Sequence, residues 1–287
     1  MYKPLNFWLI GGDHRQAALA HALAEDGHSV HTYALEEGVD PAWVQSSLTG
    51  AETAHCVILP LPAAKGELLN APLSTHCPPL SQVLDALSPQ QLICAGMVTP
   101  ALTQAAANRS LTLTDYFARE ELAVANAVPS SEGAIQIAME ELPITLQDAR
   151  VLVIGYGRLG KVLARQLHGL GARVTVAARN PADRAWVRAW GYGDVPSDHL
   201  ARHTGGFDLI CNTVPVCLLD REALSGIKPG CLVIDLASKP GGVDFAAAGE
   251  LGIKVIWALS LPGKVAPVTA GKAIRSAIYN IMTELGV

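Results

Sequence analysis

The sequence predicts an α/β chain of two Rossmann-like domains, each built on a parallel sheet, with a cleft between them and a C-terminal helix crossing back to the first. Three observations carry this. The chain has 287 residues, more than one hydrophobic core usually accommodates. Short apolar runs alternate with helical stretches along most of its length, the pattern of an open parallel sheet. And "ARVLVIGYGRLGKVLARQLHGLGARVTVAARN", residues 149–180, is a complete strand–helix–strand unit whose first turn is rich in glycine.

Taken in order, "LNFWLIGG" at 5–12 reads as a buried strand entering a glycine turn, and "DHRQAALAHALAEDG" follows it as a helix closed by Gly27. The runs "HSVHTYAL", "CVILPLP", "LICAG" and "LTLTDY" supply further strands. A helical stretch from about Ala118 is expected to break near Pro129 and to restart at 130 with Ser130 or Ser131 as its cap, forming a hinge helix. Beyond the glycine-rich unit, "FDLICNTVP", "CLVIDLAS" and "IKVIWALSLP" complete a second sheet. From Pro267 the chain turns helical again. The expected domains are therefore 1–129, completed by 267–287, for substrate, and 130–266 for the dinucleotide.

Composition narrows the function. Hydrophobic residues make up 50% of the chain and charged residues 16%, against a usual charged share of about 25%, so a homo-oligomer or a large interdomain contact is expected. A net charge of -5 without a Lys/Arg block excludes nucleic acid as the default partner. No leader-like segment or long apolar run appears, and a soluble, cytoplasmic protein with no membrane contact is expected. Cys56, Cys94, Cys211 and Cys231 fall in or beside apolar strands, without C-x-x-C spacing, and read as core residues. No metal-ligand cluster such as H-E-x-x-H is present, so no metal is expected.

The residues of the glycine turn, Gly155, Tyr156, Gly157, Arg158, Leu159 and Gly160, follow an apolar strand and open a helix. The first glycine permits the turn, the second admits a pyrophosphate, the third lets helix and strand close up, and the helix N-terminus offers free N–H groups. Where an NAD-binding unit places an acid for the ribose, this one ends in Arg179 and Asn180, with Arg184 a turn further. An arginine hydrogen-bonds a 2′-phosphate that a carboxylate would repel. NADP is the expected cofactor, and Asn212 and Thr213, ending a later strand, are expected near its nicotinamide.

Substrate residues are sought at the carboxyl ends of strands. There lie Asp13, His14 and Arg15 in "GGDHRQ", Lys239 in "SKPGG", Lys264 in "LPGKVAP", and Thr269 with Gly271 at the start of the last helix. Arg15, Lys239, Lys264 and Thr269 suit an anionic substrate. His14, Asp13 and Glu132 are the candidates for a catalytic base.

The segments "PSSEGAIQIAMEELPITLQDARVLVIGYGRLGKVLARQL", "VTVAARNPAD", "CNTVP", "IDLASKPGGVDF", "LPGKVAPVTAG" and "GGDHRQ" together resemble the dipicolinate synthase A subunits, over nearly the whole chain. The resemblance implies an NADP-dependent oxidation of a hydroxytetrahydrodipicolinate, a lysine-pathway intermediate, to pyridine-2,6-dicarboxylate. It also implies a partner, the flavoprotein-like B subunit of that synthase, and the mother-cell cytoplasm of a sporulating bacterium as the setting. Two other readings stand beside it: an NADP-dependent dehydrogenase of another small carboxylic acid, laid out like shikimate dehydrogenase, and a non-catalytic NADP-binding scaffold for a flavoprotein.

Overall fold

The computed structural model describes residues 4–286. They fall into two compact units: the residues up to Asn126 together with those from Ala266 onward, and Ala127–Val265.

In the first unit β1 (Asn6–Ile10), α1 (His14–Glu25), β2 (Ser29–Tyr33), β3 (Cys56–Ile58), a hairpin of β4 (Ala64–Lys65) and β5 (Leu68–Leu69), α2 (Leu80–Asp85), β6 (Leu92–Ala95), α3 (Pro100–Ala107) and β7 (Leu113–Asp115) follow one another. Five strands pair in parallel in the order β2-β1-β3-β6-β7. The continuous apolar run of β1 is explained by burial on both faces. Phe7 and Leu9 pack with α1, while Trp8 and Ile10 pack with Leu84 of α2 and Leu102 of α3.

A 22-residue helix, α4 (Glu120–Glu141), then runs unbroken through Pro129, and the expected break there is corrected. Proline removes a single i→i−4 bond, and packing on both sides of it outweighs that loss: Leu122 belongs to the first unit's core, Ala134 and Ala138 to the second's. Ser130 and Ser131 lie inside the helix rather than at a cap.

The second unit continues with β8 (Arg150–Ile154), α5 (Arg158–Gly169), β9 (Arg173–Ala178), α6 (Pro181–Ala189), β10 (Gly193–Pro196), β11 (Leu209–Asn212), α7 (Arg221–Ser225), β12 (Leu232–Asp235), α8 (Phe245–Glu250), β13 (Lys254–Trp257) and α9 (Leu261–Val265). Its strands are all parallel, in the order β10-β9-β8-β11-β12-β13. This is the doubly wound 3-2-1-4-5-6 arrangement, whose order reverses between its first and fourth strands.

The last helix, α10 (Pro267–Leu285), returns to the first unit, where Ile274, Ala277, Ile278 and Ile281 join the core with Leu19 and Leu23 of α1. Gly271 marks the crossing, since a Cβ there would come within 2.7 Å of the Arg15 carbonyl oxygen and 2.9 Å of the Leu19 nitrogen. Its role is helix packing. Among the described residues no helix is long and apolar enough to cross a membrane, and Cys56, Cys94, Cys211 and Cys231 are buried and free of disulfides.

Candidate functional site

The glycine turn leaves β8 at the point where the strand order reverses, with β11 beside it. Gly155 has a φ of +97°, and a Cβ on it would lie 2.4 Å from Thr213 Oγ1, the hydroxyl that donates to the Ile154 carbonyl at 2.8 Å. A Cβ on Gly160 would lie 2.1 Å from the Gly155 carbonyl oxygen. Gly157 differs from both: apart from its immediate neighbours in the chain, no atom of the described residues would approach its Cβ within 4 Å, and it caps α5 without any side-chain hydrogen bond. Open space and uncapped amides at a helix N-terminus are what a pyrophosphate requires. The turn therefore fits a dinucleotide.

Thr213 supports this turn from the side. Leu159 is half-buried on α5, and Arg158, exposed at the helix start, has a partner within the chain. The Tyr156 side chain is 8% exposed and lies in the core cluster with Val151, Leu163 and Tyr192. Only its backbone belongs to the turn. At the end of β9, Arg179 is exposed and no carboxylate among the described residues pairs with it. Asn180 caps α6 by accepting from the Ala182 amide at 2.9 Å, which uses its oxygen. Arg184 is not a free second cation, because its Nε donates to Asp194 of β10 at 2.8 Å, and Arg188 donates to the same carboxylate.

Asn212 requires a further correction. It is fully buried, donates to Asp235 Oδ1 at 2.8 Å and to the Val214 carbonyl at 2.9 Å, and accepts from the Val214 amide. A side chain so committed braces loops instead of facing a ligand. Its partner Asp235, also fully buried, accepts from the Ala237 amide at 3.1 Å and the Gly242 amide at 2.8 Å. This carboxylate thus fastens the turns after β11 and β12 to each other, and sequence reasoning missed it. A signal was present, since Asp235 ends an apolar run in the same way as Asn212, its register partner. Lys239 is exposed in the turn that Asp235 anchors, and Lys264 is exposed on α9. Glu132 is exposed on α4.

In the first unit the strand order reverses between β1 and β3. Arg15 joins the loops that follow those two strands, donating to both oxygens of Asp13 at 2.7–3.1 Å and to the Leu61 carbonyl at 2.6 Å, while only 9% exposed. Asp13 also caps α1 by accepting from the Arg15 amide. Its lone pairs are therefore occupied, which corrects its reading as a base: it positions Arg15. Behind them Tyr116 is wholly buried and donates to the Leu59 carbonyl at 3.0 Å. Burial raises its phenol far above the usual range, with the Arg15 charge pulling the other way. His14, the first residue of α1, is exposed, as is Thr269 in the first turn of α10.

Known proteins share both halves of this architecture. Residues 6–117 match the family model of the N-terminal domain of dipicolinate synthase A subunits, and residues 121–286 match "Alanine dehydrogenase/PNT, C-terminal domain". The chain is 32% identical to the dipicolinate synthase A subunit of Bacillus subtilis (strain 168), over 99% of this chain and 98% of that protein. Its structure is similar to the crystal structure of the dipicolinate synthase A chain from Bacillus subtilis, with a TM-score of 0.88 and 31% identity, over 100% and 98% of the two chains. It is likewise similar to the corresponding synthase chain from Bacillus halodurans, with a TM-score of 0.89 and 27% identity, over 98% and 99%.

Proposed function

The chain belongs to the family of dipicolinate synthase A subunits, and from that premise we propose that it oxidises a hydroxytetrahydrodipicolinate to pyridine-2,6-dicarboxylate with NADP⁺. The observation that carries the reading is the turn at Gly155–Gly160, open at Gly157 and placed where the sheet order reverses. Loss of water, of one hydride and of one proton turns the substrate ring aromatic. When bound, NADP⁺ supplies the two-electron acceptor for that change.

The chain's own residues bind, orient and take up the proton. Amides at the start of α5 hold the pyrophosphate, and Arg179 pairs with the 2′-phosphate, aided by the Asn180 amide group. Arg15, held rigid by Asp13 and the Leu61 carbonyl, pairs with one substrate carboxylate. Lys239, Lys264 and the Thr269 hydroxyl serve the other. His14 accepts the ring proton, being exposed and next to Arg15, with Glu132 as the alternative. Partnership with the flavoprotein-like B subunit, a homo-oligomeric state and a role in the mother cell during sporulation belong to the same proposal.

The test is to incubate the purified chain with hydroxytetrahydrodipicolinate and NADP⁺ and to follow NADPH and dipicolinate by absorbance. Both are expected to rise together. Cofactor binding without either product would make the chain a scaffold for its partner and overturn the reading.

A further inference from the structure

A groove on the second unit runs between α5 and the C-terminal end of α6, and its lining includes neither Gly157 nor Arg179. It has a volume of about 770 Å³, within the range of small-molecule sites. Tyr156 and Tyr192, each 8% exposed, form its floor, while Trp186 and Trp190 stand on its rim at 60% and 61% exposure. Lys161 and Arg165 of α5 line it too. The Lys161 ammonium lies 5.5 Å from the centre of the Tyr156 ring, and the Arg165 charge reaches the Tyr192 phenol. Asp183 bears on Tyr156 from the start of α6, yet neither Lys161 nor Arg165 makes an ion pair among the described residues.

Each of these features is unfavourable alone. Like charges one helical turn apart repel, and two indoles at this exposure leave a large apolar area in water. A purely apolar ligand would relieve only the indoles, and a phosphate or aliphatic anion only the cations. A planar ring carrying carboxylates relieves both, by packing against the tryptophans while its anionic edge meets Lys161 and Arg165. We propose that this groove is a second ligand site, separate from the dinucleotide turn, for a planar aromatic carboxylate. The specific ligand, pyridine-2,6-dicarboxylate, rests on the reaction proposed above, of which it is the product; the groove then senses product outside the reacting site.

The experiment is calorimetric titration of the full chain with pyridine-2,6-dicarboxylate and, in parallel, with glutarate, an aliphatic dicarboxylate. Arg165→Gln and Trp190→Ala are titrated alongside, and NADP⁺ affinity is measured in each protein as a control for folding. Saturable binding of the aromatic dicarboxylate is expected, with glutarate roughly tenfold weaker or more, and each substitution weakening the aromatic ligand by about tenfold with NADP⁺ affinity unchanged. The proposal is overturned by absence of saturable binding, by equal affinity for glutarate, or by full affinity in both variants. It is equally overturned if Trp190→Ala dissociates an oligomer without changing ligand affinity, since the groove is then an interface between copies. Turnover without groove binding removes this site and leaves the reaction; groove binding without turnover does the reverse.

Discussion

Arg179 stands at the end of β9 with no carboxylate to neutralise it among the described residues, and that bare charge is the residue-level basis for choosing NADP over NAD. A charge-assisted hydrogen bond contributes about 1.5–3 kcal/mol, so Arg179→Glu should weaken NADP⁺ by roughly tenfold or more while leaving NAD⁺ nearly unchanged, as read by calorimetry. Equal losses for both cofactors would remove the phosphate role. The glycines separate binding from folding in the same way. Gly157→Ala adds a methyl to open space at a φ of −78°, so its melting temperature should shift by only a few degrees, the effect of about 1 kcal/mol on a helix cap, while dinucleotide affinity collapses. Gly160→Ala drives a Cβ into the Gly155 carbonyl and should unfold the unit, which circular dichroism would reveal.

At the scale of elements, a buried network holds the loops and a half-buried one holds the last helix. Asp235 receives three donors, one from Asn212 at the end of β11 and two from the turn after β12. Asp235→Asn turns one acceptor into a donor facing donors, and denaturant titration should find a loss of about 2–3 kcal/mol. The last helix is fastened by Tyr279, which donates to Asp26 at 2.6 Å and meets His28 Nε2 at 3.0 Å, while His28 Nδ1 accepts from the Leu5 amide at 3.2 Å. Burial lowers the His28 pKa below its ordinary 6.5, partly opposed by Asp26. The unfolded chain then binds the proton more readily than the folded one, so stability is full above about pH 6.5 and falls as the pH drops below it. His31, lowered by burial as well, adds to the same slope. Melting curves between pH 7.5 and 5.5 should show His28→Gln reducing that slope; an unchanged slope would contradict the assignment.

Across the whole molecule, what was legible in the sequence was local in the chain. The glycine turn, and the loops and helix starts beyond the strands where Arg15, Arg179, Lys239 and Lys264 lie, could be read because each strand and the segment that follows it are contiguous in the chain. Partners distant in sequence were hidden. Asn212 looked like a ligand contact because its tie to Asp235 depends on the register of β11 against β12. Asp13 looked like a free base although its partner Arg15 is two residues away, because what turns that guanidinium back onto it is the Leu61 carbonyl, 46 residues from Arg15. Pro129 looked like a helix end because local propensity counts one lost hydrogen bond and not the packing on either side of it. The spacing of Trp186 and Trp190 gave no sign that both face solvent, since helical periodicity is the same for a packed face and an open one. Coupling of the oxidation to NADP⁺ at the Gly155–Gly160 turn is the central claim, and one measurement reaches it most directly: the yields of NADPH and dipicolinate from hydroxytetrahydrodipicolinate with the wild-type chain and with Gly157→Ala. One NADPH per dipicolinate is expected from the wild type and neither product from the variant, with both proteins folded; dipicolinate formed equally by the variant, or without NADP⁺, would contradict it.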